Sequence, residues 1–204
     1  MSTPHNDTEK RILAAAEQEF MLKGYGGART TAIAERAGVT HTMLHYYYRT
    51  KESLFDKIIE EKANELLGQM MSLCPAEDNR LITDKMCDVV ERHFDLLVEN
   101  PLLPGFVISE LRSNPERLNG WFSKISDAVT SLAGPLQQEL DRSAARGATC
   151  HISVILLLTD IMSLNISSVS FADVLCRMYG IGKEEYLALR RKENVEVIRK
   201  RLTP

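Results

Sequence analysis

Ala37-Gly38-Val39-Thr40-His41-Thr42-Met43-Leu44-His45-Tyr46-Tyr47-Tyr48-Arg49-Thr50-Lys51 is the stretch whose reading decides the fold. Gly38 reads as a helix stop and Thr40 as the N-cap of the next helix, so a tight turn separates two short helices. At about 100° per residue, His41, Thr42, His45 and Tyr46 fall on one arc, and Met43, Leu44, Tyr47 and Tyr48 on the opposite one. The first arc is polar and matches the donor and acceptor pattern of a DNA major groove. The second is apolar-bodied and suits packing on the helices before it. Taken singly, His41 and His45 are as compatible with a solvated surface as with DNA. The turn that precedes them favours a reading helix in a helix-turn-helix.

Backbone anchors follow from the same placement. Lys51 opens the next helix, where its charge joins free N–H groups in attracting a phosphate. Arg29 and Thr31, at the start of the helix before the turn, can grip the phosphate across the groove, which positions a protein without specifying sequence. Tyr46 can reach a thymine methyl or a phosphate, and Tyr47 can pack its ring while its hydroxyl reaches the DNA backbone. The chain of 204 residues carries a net charge of only −3. Between Lys23 and Lys57, however, six Lys/Arg stand against three acids, and DNA contact needs a local cationic face rather than a basic protein.

Helical punctuation continues in both directions. A first helix follows Asn6-Asp7-Thr8, carries Ile12, Leu13, Ala16 and Phe20 on one stripe, and ends at Gly24-Tyr25-Gly26-Gly27. A second runs from about Thr30 to Ala37, burying Ile33, Ala34 and Ala37, and a fourth from Lys51 to about Ser72. Pro75 to Asn79 reads as a polar boundary loop. Further helices are expected at about 81–99, 102–112, 115–144, 150–178 and 184–201, with Asn100-Pro101 and Asn114-Pro115 as start signals and Gly134-Pro135 as a kink. Strand-like alternation is absent, so the fold class is all-α.

Residues 10–56 resemble the N-terminal domain of TetR/AcrR-type transcriptional regulators. The resemblance rests on Ile33-Ala34, Ala37-Gly38-Val39-Thr40, Tyr46-Tyr47-Tyr48 and Lys51-Glu52, and covers about a quarter of the chain. Leu44-His45-Tyr46-Tyr47 after Gly27-Ala28-Arg29, with Asn100-Pro101-Leu102-Leu103-Pro104, is similar to one subgroup of that family. The resemblance implies a helix-turn-helix domain at 1–55 and a helical effector-binding and dimerisation domain at 56–204. It also implies a homodimer that binds palindromic double-stranded operator DNA and releases it when a small molecule enters the C-terminal part. Carried over by position, Thr40 and Tyr47 hold phosphates, His41, Thr42 and His45 or Tyr46 read bases, and Lys51 anchors. Two departures stand out. Tyr48 replaces a usual core Phe, so its hydroxyl needs a partner or solvent, and Ala28 replaces a common phosphate-binding Thr.

The C-terminal half is less specific. Phe94, Phe106 and Trp121 are candidate lining for an apolar or amphipathic effector, although such residues are more often plain core. Glu110, Arg112 and His93 are polar candidates whose ordinary fate is exposure. Asp160 lies in an apolar helix, facing either a pocket or dimer seam, or a narrow wet stripe with Asn165. The last two helices are expected to form the dimer interface, since 150–178 is apolar nearly all round. Leu187, Asn194, Val195, Ile198 and Leu202 form the stripe of the other, with Arg190, Arg191, Arg199 and Lys200 keeping its far face soluble.

Several classes are set aside. No nucleophile elbow, P-loop or metalloprotease motif occurs, so neither an enzyme nor a cofactor is expected. Cys74, Cys87, Cys150 and Cys176 lack metal or CxxC spacing and are expected reduced; a redox switch is unsupported. Met1 to Lys10 lacks an apolar signal core, and Val154 to Leu158 is too short for a span, which points to the cytoplasm and away from a membrane. The competing reading is a helical small-molecule or protein-binding module that no longer contacts DNA.

Overall fold

A computed structural model describes residues 4–73 and 80–204. The fold is all-α, with no strand among the described residues. The helices are α1 (Pro4–Gly27), α2 (Thr30–Ala37), α3 (His41–Tyr47), α4 (Lys51–Leu73), α5 (Ile82–Glu99), α6 (Leu103–Ser113), α7 (Asn119–Ala145), α8 (Val154–Ser170), α9 (Ala172–Tyr179) and α10 (Lys183–Leu202), with a 3₁₀ turn at Pro115–Leu118. The expected loop at Pro75 to Asn79, like Cys74, lies outside the described residues.

Two compact units divide the chain. The first joins Met1–Leu66 to Gly105–Ile125, and the second joins Leu67–Pro104 to Ser126–Pro204. The segment 105–125 is thus grouped with the N-terminal helices.

In the first unit α1 packs on α2 and α2 on α3. Ile12, Ala16 and Phe20 of α1, Ile33 and Ala34 of α2, and Leu54 and Phe55 of α4 are all buried. Burying each of the larger side chains contributes about 1.5–3 kcal/mol. Phe20 and Tyr25 both meet Phe55 edge-on, at centroid distances of 5.0 and 5.1 Å. Gly24, at φ 65° and ψ 176°, breaks α1 inside its span and turns Tyr25 back over this cluster. Gly38 ends α2 in the left-handed region, its N–H bonding Glu35.

In the second unit α5, α8 and α10 pack together around Met86, Val90, Leu140, Leu157, Ile161 and Ile198. Gln137 of α7 starts α8 by proxy: its Oε1 accepts the Val154 N–H at 2.7 Å and its Nε2 donates to the Ile152 carbonyl. The expected single helix over 150–178 is therefore two. It begins at Val154, after Cys150 N–H has bonded the Leu202 carbonyl, and breaks at Phe171 with a 62° bend between α8 and α9. No single helix among the described residues is long and apolar enough to cross a membrane. Asn100 ends α5 rather than opening α6, donating its side-chain amide to the Leu96 carbonyl, and α7 runs on through Pro135.

Candidate nucleic-acid interface

The helix-turn-helix is assembled by local signals. Thr40 has extended backbone and its Oγ1 accepts the Met43 N–H at 3.2 Å, capping α3. Leu44 anchors the helix inward at 1% exposure, while His41, Thr42, His45 and Tyr46 are exposed. Met43, expected on the packed arc, is 46% exposed instead. Seven residues give α3 only two turns, too few for both Met43 and Leu44 to reach the core. Tyr47 is half-buried and Tyr48 buried. The Tyr48 hydroxyl finds its partner in Glu9 Oε1 at 3.1 Å.

Two imidazoles share the outward face, with ring centroids 4.3 Å apart and edge to face. His41 Nε2 lies 3.1 Å from the Thr30 hydroxyl, tying α3 to the first turn of α2. His45 Nδ1 lies 3.2 Å from the Arg49 carbonyl. A carbonyl only accepts, so Nδ1 carries a proton and donates it to Arg49, which leaves Nε2 facing outward.

The anchors are set by their elements. Arg29 and Thr31 are exposed at the start of α2, and the Arg29 N–H points at Glu19 Oε1, 3.5 Å away. Glu19 is fully buried in α1, with Lys23 at 2.7 Å and Arg36 at 3.4 Å. Its carboxyl is held below the usual carboxylate value, chiefly by the Lys23 hydrogen bond. Lys51 is the first residue of α4. Thr50 caps that helix by a reciprocal exchange with Ser53: Thr50 Oγ1 accepts the Ser53 N–H at 3.0 Å, and Ser53 Oγ accepts the Thr50 N–H at 3.3 Å. The Lys51 ammonium sits 4.5 Å from the centroid of the Tyr25 ring. Burial and the Arg117 charge lower its pKa, and Glu110 works against them.

Glu19, Thr50, Ser53, Tyr25 and Arg117 were not singled out from the sequence. Glu19 had a signal: it falls seven residues after Ile12 and three after Ala16, so an acid occupies the apolar stripe of α1.

The effector candidates separate. Phe106, Glu110 and Trp121 belong to the first unit, and Phe94 and Asp160 to the second. Phe106 packs 6.0 Å from Phe55. Glu110 is buried, contrary to expectation: Oε1 accepts the Tyr25 N–H at 2.7 Å and Oε2 pairs with Arg117 at 3.1 Å. Trp121 lines a cleft of about 290 Å³ with Asp56, Ile59, Glu60, Arg117 and Lys124. Phe94 is core with Leu97 and Val169. Asp160 forms an ion pair with Arg201 at 2.5 Å, both half-exposed. Asn165, the other member of the supposed wet stripe, is fully buried, donating to the Val90 carbonyl and bonding His93 and Asn194. His93 is partly buried and Arg112 exposed. Arg190, Arg191 and Arg199 are bonded to Ser168, Asp95 and Asp84 respectively, rather than merely solvated.

Residues 12–58 match the family of bacterial regulatory proteins called the tetR family. Over 146 residues the chain is 24% identical to the fatty acid metabolism regulator protein of Bacillus subtilis, covering 67% of this chain and 74% of that one. Over 53 residues it is 42% identical to the HTH-type transcriptional regulator RutR of Escherichia coli, 26% of this chain and 25% of that one. The crystal structure of the transcriptional regulator FadR from Bacillus subtilis in complex with stearoyl-CoA has the same fold, with a TM-score of 0.60 at 19% identity over 95% and 98% of the two chains. The helix-turn-helix segment at residues 12–58 is thus that of the tetR family, and the chain as a whole shares the fold of the transcriptional regulators it resembles.

Proposed function

We propose that the chain works as a homodimeric, ligand-responsive repressor in the cytoplasm, acting by binding rather than catalysis. Two helix-turn-helix heads engage a palindromic operator, and a small apolar or amphipathic effector taken up by residues 56–204 releases it. The observation that carries this reading is the outward face of α3, where His41, Thr42, His45 and Tyr46 stand exposed on a helix whose Leu44 is 1% exposed. In this reading His41, Thr42 and His45 or Tyr46 meet base edges, while Thr40, Tyr47 and Lys51 hold phosphates with the free N–H groups of α4, and Arg29 and Thr31 hold the phosphate across the groove. With Nδ1–H committed to Arg49, His45 Nε2 is the ring atom left to meet a base edge.

Pairing through the last helices is supported by apolar side chains left outside the second unit's own core: Ile155 and Met162 of α8, Val174 and Met178 of α9, and Leu189 of α10. The relative named for fatty acid metabolism, and the stearoyl-CoA complex, favour a long-chain acyl thioester as effector. Trp121, which lines the cleft of about 290 Å³, is its candidate apolar contact. A ligand that prefers a dimer whose reading helices are not about 34–36 Å apart lowers operator affinity by its differential affinity for the two states.

The test is a gel shift against DNA flanking the protein's own gene, repeated with stearoyl-CoA and across a salt series. Wild type is expected to bind and to be released by the acyl thioester. His45→Ala is expected to lose more specific than non-specific affinity. Equal loss of both overturns its reading role, and no retardation at low salt overturns DNA binding itself.

A further inference from the structure

A charge cluster in the first unit is built from α1, α4, α6 and the 3₁₀ turn, without a residue of α3. Glu110 of α6 is 2% exposed, and each of its oxygens is engaged, one by the Tyr25 N–H at 2.7 Å and the other by Arg117 at 3.1 Å. A Cβ added at Gly24 would lie 3.0 Å from Glu110 Oε1, so the carboxylate is pressed against the backbone where α1 breaks. The Arg117 guanidinium carbon lies 3.8 Å from the centroid of the Tyr25 ring, the same ring that Lys51 approaches to 4.5 Å. Two cations therefore share one aromatic face-partner, and one buried carboxylate is bonded to only the first of them.

That asymmetry matters for Lys51. An ammonium resting on an aromatic ring keeps its hydrogen-bonding protons available to a phosphate, whereas one paired with a carboxylate does not. A buried carboxylate deprived of its cation is costly and recruits another. The nearest other cation on the shared ring is Lys51.

We propose that Arg117 guards Glu110: while the guanidinium holds the carboxylate, Lys51 stays on Tyr25 and serves an operator phosphate, and when Arg117 withdraws, Glu110 captures Lys51 and the phosphate contact is lost. Arg117 and Glu110 are thus positioning residues for the DNA anchor. The inference rests on the reading of Lys51 as that anchor. The chain supplies a route for the withdrawal, because α6 and α7, which flank Arg117, both continue into residues of the second unit.

Operator binding by the full-length chain, titrated with salt, tests the exchange, with thermal melts confirming that each variant folds. Lys51→Ala is expected to reduce the magnitude of the salt slope by about 0.9, one phosphate. Arg117→Gln is expected to weaken binding roughly three- to thirtyfold with the same loss of slope. Arg117→Met, which keeps the stem over the ring, is the second variant and carries the same expectation. Adding Glu110→Gln to either is expected to restore affinity to within about twofold of wild type and to restore the slope, which a purely structural role cannot do. A normal Lys51→Ala effect with silent Arg117 variants, or a double variant no tighter than the single, overturns this inference alone. An unchanged slope in Lys51→Ala overturns the anchor and this inference together.

Discussion

Tyr48 sits where helical spacing asks only for an apolar body, and the structure uses its hydroxyl as well, donated to Glu9. Burial, that bond and the Glu9 and Glu61 carboxylates push its ionisation well above the ordinary tyrosine value. The raised value means the contribution is complete below pH about 10 and fades at higher pH. Tyr48→Phe should cost within about 1 kcal/mol at pH 7 and lose less stability above pH 10, as urea unfolding at the two values will show. His93 runs the other way, its pKa lowered to about 4 by burial, with the Asn165 amide within hydrogen-bond distance of Nδ1. The neutral ring supports the fold above pH about 6.5, and that support falls away as pH drops through about 4, by up to about 1.4 kcal/mol per pH unit. His93→Gln should flatten the stability–pH profile in that window; an unchanged profile removes His93 from the account. The partner Tyr48 needs could be anticipated from one atom in an apolar position. The burial of Glu110 and His93 could not, because periodicity names a face without naming what covers it.

The elements most legible in the sequence are those made by local chemistry. α2 spans Thr30–Ala37 as its spacing indicates, Gly38 stops it at φ 66°, and Thr40 caps α3. Gly38→Ala should therefore cost about 1–2 kcal/mol, since a Cβ is disfavoured in that region. Thr40→Val should cost about 1 kcal/mol and Thr40→Ser much less, because only the former removes the oxygen that accepts the Met43 N–H. Denaturant midpoints check all three. Where an element depends on distant residues the sequence was silent. Nothing in Ser170-Phe171-Ala172 resembles a Gly or Pro break, yet α8 stops there, and its start is set by Gln137, 17 residues upstream of Val154.

For the molecule as a whole, the apolar character of 150–178 was visible, but its consequence differs from burial on every side. Within the chain α8 buries Val154, Leu157, Ile161 and Asn165 and leaves Ile155, Leu156 and Met162 exposed. If that second face is where two subunits meet, Met162→Asp should shift the protein to monomer in sedimentation and abolish any dependence of Tm on protein concentration. Dimers that persist would place the interface elsewhere. The inner face carries a different kind of information. Asn165, Ser168 and Asn194 are all buried, with the Asn194 amide donating to both of the others and Arg190 closing the set from α10. Sliding α10 by one turn along α8, about 5.4 Å, would strand those amides opposite hydrocarbon. The pair is keyed in register like a lock whose pins admit one depth, so this part of the molecule can tilt or rotate as a block but cannot shear.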